Sequence, residues 1–150
     1  MMQIYKIEDV REFMAVLFLK ENFDKFCVGT MEIKTFVSIT VKGNLLTDWL
    51  SEEEKEIYGS REYVPWKLLR PLAFSMIKGE QTPQLLRIQF VHYMNNGDCG
   101  GLRIQYENNE LHCISSYTPA NFTLDKSSEQ IWDDQCTEFF HKNEIVSTRL

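Results

Sequence analysis

The residues of this chain with the widest chemical reach are three histidines and four cysteines, and their spacing limits what they can do. His92 and His112 fall in segments of strand-like alternation, and His141 lies near the carboxyl end. Cys27, Cys99, Cys113 and Cys136 are far apart and form no CxxC pair. A zinc site could draw His92, His112, Cys99 and Cys113 from adjacent strands. His112 and Cys113 are consecutive, however, and point to opposite faces of a strand. No metal and no cofactor is expected. Cys99 follows Asp98, whose charge opposes a thiolate, so an ordinary turn cysteine is expected there. His92, Tyr93 and His112 sit on neighbouring strands and are the set that could line a small ligand-binding or enzymatic pocket.

A second set is basic. On a regular spiral over residues 65–78, Lys67, Arg70 and Lys78 fall within about 80° of one another. Leu68, Leu69, Leu72, Ala73 and Met76 take the other side, and Phe74 intrudes on the basic side. Such a face is either a solvated amphipathic surface or a small contact site for an anion or nucleic-acid phosphate. Glu52, Glu53, Glu54 and Glu56 follow Ser51 as the start of a short acidic helix. Consecutive helix positions fan outward, so these carboxylates are expected to be solvated rather than ligating. No Walker loop, dinucleotide-binding glycine pattern or serine nucleophile elbow is present, and no catalytic residue is assigned.

The elements that must position these groups come in a doubled succession. Residues 3–7 read as a strand and 9–20 as a largely apolar helix with an Asp9–Glu12 cap. Residues 26–41 read as antiparallel strands ending at Gly43-Asn44. The order then returns: a short extended stretch at 61–64, a helix over 65–78, and strands over 85–117. Pro65 suits a first helical turn, and Gly79 reads as a C-cap. Pro71 is expected to kink or divide the helix. Residues 95–101 (NNGDCGG) read as a mobile glycine-rich turn, and Asn108-Asn109 as a tight hairpin turn. A last helix spans about 127–142 with Ser127 as its cap, and the tail after Glu144 is expected to fray.

The chain has 150 residues and a net charge of −6, with 43% apolar and 25% charged residues. This fits a single folded domain, 1–150, with pseudo-repeats at about 1–60 and 61–120. The acidic balance opposes attraction of the whole surface to nucleic acid or anionic lipid, though not a local basic face. The start, MMQIYKIEDVREF, lacks the pattern of a secretory leader. The most apolar window, residues 13–19, is too short to span a bilayer. A cytoplasmic protein with reduced thiols and no membrane role is expected.

MQIYKIEDVREFMAVLFLK resembles the first strand and helix of one domain of a DNA sliding clamp. FVSITVKG resembles a later strand of its first repeat. EYVPWKLLRPLAFSMIKG, QLLRIQFVHY and GGLRIQYENNELHCISSY resemble its second repeat. The resemblance covers about residues 2–117. It implies helices side by side on one face, the face that meets DNA in a clamp. Clamps join two or three such domains per chain, whereas this chain has one and adds a C-terminal helix. The first helix offers only Arg11 and Lys20 as cations. Phe139-Phe140 is similar to the end of the peptide that clamp partners insert. Asp133 and Cys136 depart from that motif, so core packing is expected of this pair. The whole chain also resembles members of a family of gut Firmicutes proteins with no known activity, through its KIEDV start and its late IWDD helix.

The expected fold is therefore α+β: an antiparallel sheet with two helices on one face, in a clamp-like strand-helix-strands repeat, plus a C-terminal helix. The expected function is that of a non-enzymatic binding or scaffold domain. It would contact a protein partner, a second copy of itself, or DNA through Lys67, Arg70 and Lys78. The alternative is a small enzyme or ligand-binding domain with a pocket near His92, Tyr93 and His112.

Overall fold

Period-two alternation of apolar residues over 85–117 builds the middle of the molecule. In the computed structural model, which describes residues 2–79 and 81–150, β5 (Leu85–Tyr93), β6 (Cys99–Glu107) and β7 (Glu110–Thr118) form an antiparallel meander. Asn108 and Asn109 adopt φ of 55° and 62°, the left-handed pair that a two-residue hairpin requires. Strand β1 (Gln3–Ile7) pairs with β7, and β2 (Cys27–Lys34) pairs with β5. Strand β3 (Ser38–Lys42) adds to β2, and β8 (Ser147–Arg149) adds to β1. The two-residue β4 (Val64–Pro65) continues the β3 side of β2. The order across the eight-stranded antiparallel sheet is β3-β2-β5-β6-β7-β1-β8, with β4 beside β2. The tail expected to fray is thus a strand, and the amide of Leu150 also donates to the Ile4 carbonyl at 2.8 Å.

Four α-helices among the described residues complete the α+β fold. Helix α1 (Val10–Leu19) starts where expected, with Asp9 accepting from the Glu12 amide at 3.0 Å. Helix α2 (Glu52–Tyr58) carries a full capping box between Ser51 and Glu54 and buries no residue, so its glutamates are solvated. Helix α3 (Trp66–Ile77) runs through Pro71 as one element. Pro71 is exposed, and the helix ends at Lys78 rather than Gly79. Helix α4 (Ser127–Lys142) begins one residue after Lys126. Here Asp125, not Ser127, supplies the side-chain bond, by accepting from the Ser127 amide at 2.9 Å.

The helices α1, α3 and α4 cover one sheet face. Met31, Ile33, Leu86, Ile88, Phe90, Leu102, Ile104, Leu111 and Cys113 lie on it, all buried. At its centre Phe23 and Phe26 pack on Phe90 (5.6 and 5.3 Å between ring centroids) and on Phe139 of α4 (5.1 and 5.6 Å). The Phe139-Phe140 pair is therefore core. Trp66 is fully buried and donates its indole N–H to the Leu17 carbonyl at 3.1 Å, tying α3 to α1. The other sheet face is polar. Arg87 bonds to Glu32 (3.1 Å) and Gln105 (3.4 Å), and Arg103 to Gln89 (3.2 Å).

Gly100 and Gly101, read above as part of a mobile turn, belong to β6. A Cβ on Gly100 would lie 2.5 Å from the Trp132 ring. The bare strand lets that ring lie flat on the backbone, with its indole N–H on the Gly101 carbonyl at 3.0 Å.

Candidate functional site

The basic trio of α3 is split by its surroundings. Lys67 and Lys78 are exposed, whereas Arg70 is mostly covered and pairs with Asp24 at 3.0 Å. Asp24 lies in the α1–β2 connection, whose position is set by Phe23 and Phe26 on either side of it. The pair joins that connection to α3. One oxygen of Asp24 (Oδ1) and the Nε of Arg70 have no partner among the described residues. Arg70 is thus committed to a structural ion pair, which leaves Lys67 and Lys78 facing solvent. On α1, Lys20 lies 3.9 Å from Glu12, and Arg11 is exposed.

The strand residues are also separated. His92 and Tyr93 are consecutive and point to opposite faces. On the core side His92 stacks on Trp132, with ring centroids 5.8 Å apart, and bonds to the Lys25 backbone. Burial, and secondarily the charge of Lys25, pushes its pKa below the ordinary histidine value, which favours the neutral ring. Tyr93 donates to a Glu62 carboxylate oxygen at 2.6 Å. Burial first, then this carboxylate, raises its pKa well above the usual phenol value. His112 stands opposite Gln105, and Gln105 stands opposite Arg87. That register puts His112 five residue steps from His92 along the sheet, roughly 17 Å, and on the other face. The structure brings His92 and Tyr93 to one end of the sheet and leaves His112 at the other.

A cleft of about 510 Å³ does lie at the His92–Tyr93 end, lined by Lys25, Cys27, Arg61, Glu62 and Tyr63 as well. Arg61 reaches the Cys27 sulfur at 3.7 Å and lies over the Tyr58 ring at 5.6 Å. The cleft offers a mixed polar wall able to hold a small polar molecule. Cys99, at the edge of this region, has its thiol pKa raised by burial, the direction that disfavours the nucleophilic thiolate. Among the described residues no group of three or more histidine, cysteine or acidic side chains is placed to hold a metal ion.

A larger hollow went unread in the sequence. It holds about 800 Å³ between α1 and α3 and is lined by Val10, Met14, Phe74, Ile77, Pro83 and Tyr106, with Arg11 and Lys78 among its charged side chains. The signal for it was Phe74. An aromatic residue on the basic side of an amphipathic helix either packs on a neighbour or lines a surface depression, and Phe74 does both. Its ring lies 6.3 Å from that of Phe18 while it faces the hollow.

The fold is thus an antiparallel sheet with α1, α3 and α4 on one face and an apolar hollow between α1 and α3. The sequence profile of DUF5721, a family of unknown function, matches residues 16–99 and 95–147, and the chain belongs to that family. No curated protein and no solved structure matches the chain.

Proposed function

We propose that this chain is a non-enzymatic binding domain on a clamp-like frame, and that it meets a protein partner through the face of α1 and α3. The observation that carries this reading is the apolar hollow on that face. The frame is supported by the strand order. A β2–β5 pair is flanked by β3 and β6, and each half opens with a short strand and a helix (β1 and α1, then β4 and α3). This supports one domain with pseudo-repeats at about 1–60 and 61–120. The first half departs from the second: α2 stands where the second half has β7, and β4 attaches directly to β2. The buried thiols Cys113 and Cys136, held as small apolar core groups, support a reducing, cytoplasmic setting.

The surface charge favours protein over DNA. With Arg70 paired, the two helices present Arg11, Lys67 and Lys78 on a body of net charge −6. Phosphate contacts by three cations would show as a steep salt dependence. Two experiments test the reading. In fluorescence anisotropy, duplex DNA should not bind across a salt series from low to physiological strength. Salt-sensitive binding weakened by Lys67→Ala would move the assignment to DNA. A photo-crosslinking residue at exposed Lys67, on the flank of α3 that carries Phe74 and Lys78, should capture a discrete protein in the native cell, and one at exposed Glu107 should not. Equal capture, or none, at both positions counts against this face.

The cleft beside His92 and Tyr93 supports a second reading, a ligand-binding or small enzymatic domain. A melting temperature raised by a metabolite, and no longer raised after Arg61→Ala, would favour it.

A further inference from the structure

We infer that the trough beside α1 and α3 receives an acidic amphipathic segment of a partner protein. Its apolar side chains would rest on Met14, Phe74 and Ile77, and its carboxylates would meet Arg11 and Lys78. The inference rests on the binding reading above and specifies its partner.

Two hollows adjoin here. The one between α1 and α3 holds about 800 Å³. A second, of about 660 Å³, runs from Ile77 and Lys78 toward Phe36 at the tip of the β2–β3 hairpin. They share Ile77, Lys78, Gly79, Gln81 and Thr82, so together they form one extended trough. Phe36, at its far end, is 96% exposed. An elongated depression with an apolar floor and an exposed aromatic at one end suits a stretch of polypeptide better than a compact metabolite.

The occupant's chemistry follows from exposure and charge. Met14, Phe74 and Ile77 are half-buried, and Lys78, Gly79, Gln81 and Thr82 are exposed, so the trough stays open to water along its length. A free alkyl chain laid in it would leave its outward side in water. A segment with one apolar side loses only that side from water and keeps its polar side solvated. The charged side chains that line the two hollows among the described residues are Arg11 and Lys78, both cationic. Neither has a described carboxylate within ion-pairing distance. Cations with no ion-pair partner among the described residues, beside an apolar floor on a protein that is acidic overall, favour an acidic partner over a basic one.

The test pans a display library of random peptides, about 16 residues long, on the full chain and counter-selects on Arg11→Glu/Lys78→Glu. Both positions are exposed, so the variant keeps its fold, and an unchanged melting temperature checks this. Enriched peptides should space apolar residues three and four apart among Asp or Glu. Their synthetic versions should slow amide exchange at residues 10–14 and 74–79. They should bind the charge-reversed variant about tenfold or more weakly. No enrichment, peptides without acidic residues, equal binding to the variant, or protection elsewhere would each overturn the inference. Sodium laurate is the separate lipid probe: protection of the same residues by laurate but not by peptides also overturns it. If Lys67 crosslinks in the cell while panning fails, the binding reading stands without this trough. If both fail, both fall.

Discussion

Replacing Gly100 with alanine should loosen α4 from the sheet, and the size of the effect can be worked out. The new Cβ would lie 2.5, 2.6 and 2.8 Å from Cε2, Cδ2 and Cε3 of Trp132, inside any tolerable carbon–carbon contact. The ring must withdraw by about 1 Å to reach ordinary van der Waals distance. That movement strains its 3.0 Å bond to the Gly101 carbonyl and its stack on His92. Overpacking of this kind costs about 1–3 kcal/mol. A weakened buried hydrogen bond adds about 1 kcal/mol. A loss of about 2–4 kcal/mol lowers the melting temperature by roughly 5–15 °C for a domain of this length. Urea unfolding of wild type, Gly100→Ala, Trp132→Leu and the double variant measures it. With the indole gone, Gly100→Ala should cost less than about 0.5 kcal/mol, because nothing remains for the methyl to strike. An equal cost in both backgrounds would refute the reasoning and assign the glycine's role to the strand itself.

Other perturbations have equally definite outcomes. Arg70→Leu should lose about 2 kcal/mol by stranding the largely covered Asp24 carboxylate, and Asp24→Leu added to it should recover much of that loss in urea melts. His92 titrates lower in the folded chain than in the unfolded one, so unfolding takes up a proton in the window between its depressed pKa and about 6.5. Stability from this group is present above pH 6.5 and falls as pH drops through that window. His92→Phe should flatten that part of the urea-midpoint profile. Cys113 and Cys136, whose thiol pKa values are raised by burial, the latter to about 12, should resist a thiol reagent in the native state at pH 8 and react in urea. Ser51→Ala removes the cap of α2, so amide exchange should quicken in that helix. The global urea midpoint should barely move, because α2 buries no residue.

The parts of the fold that were legible from sequence are those set by local rules. The Asp9 and Ser51 caps, the Asn108-Asn109 turn and the alternation through β5, β6 and β7 depend on residues a few positions apart. The misread parts depend on distant partners. Gly100 and Gly101 look like turn glycines until Trp132, more than thirty residues later, is laid on them. The tail after Glu144 looks unpaired until β1 is placed beside it. Gly43 marks the end of a strand in sequence. In the fold it is also a close approach, where a Cβ would meet the Val28 carbonyl oxygen at 1.7 Å. The candidate site was less legible than the fold. Arg70 reads as a surface cation because its partner, Asp24, belongs to an irregular connection that no periodicity marks. His92 and His112 both read as strand residues, but only the register of β5, β6 and β7 shows that they face away from each other. Phe74 was visible as an anomaly on its helix, and its meaning needed the neighbouring helix.

The position of β1 in the sheet bears on how the chain acquires its structure. Its two neighbours are β7 and β8, so Gln3 pairs with Ser115 and Tyr5 with Arg149. A growing chain made as far as residue 109 contains β1 with neither partner. At about 5–20 residues per second, the interval before β7 follows is several seconds or longer. During that time Tyr5 and Ile7, later buried, have no neighbouring strand to pair with. Closing this strand is the step of longest reach along the chain, and by its loop-closure entropy it belongs among the slowest. The hairpins of β2–β3 and β5–β6–β7 can form from local sequence and wait for it.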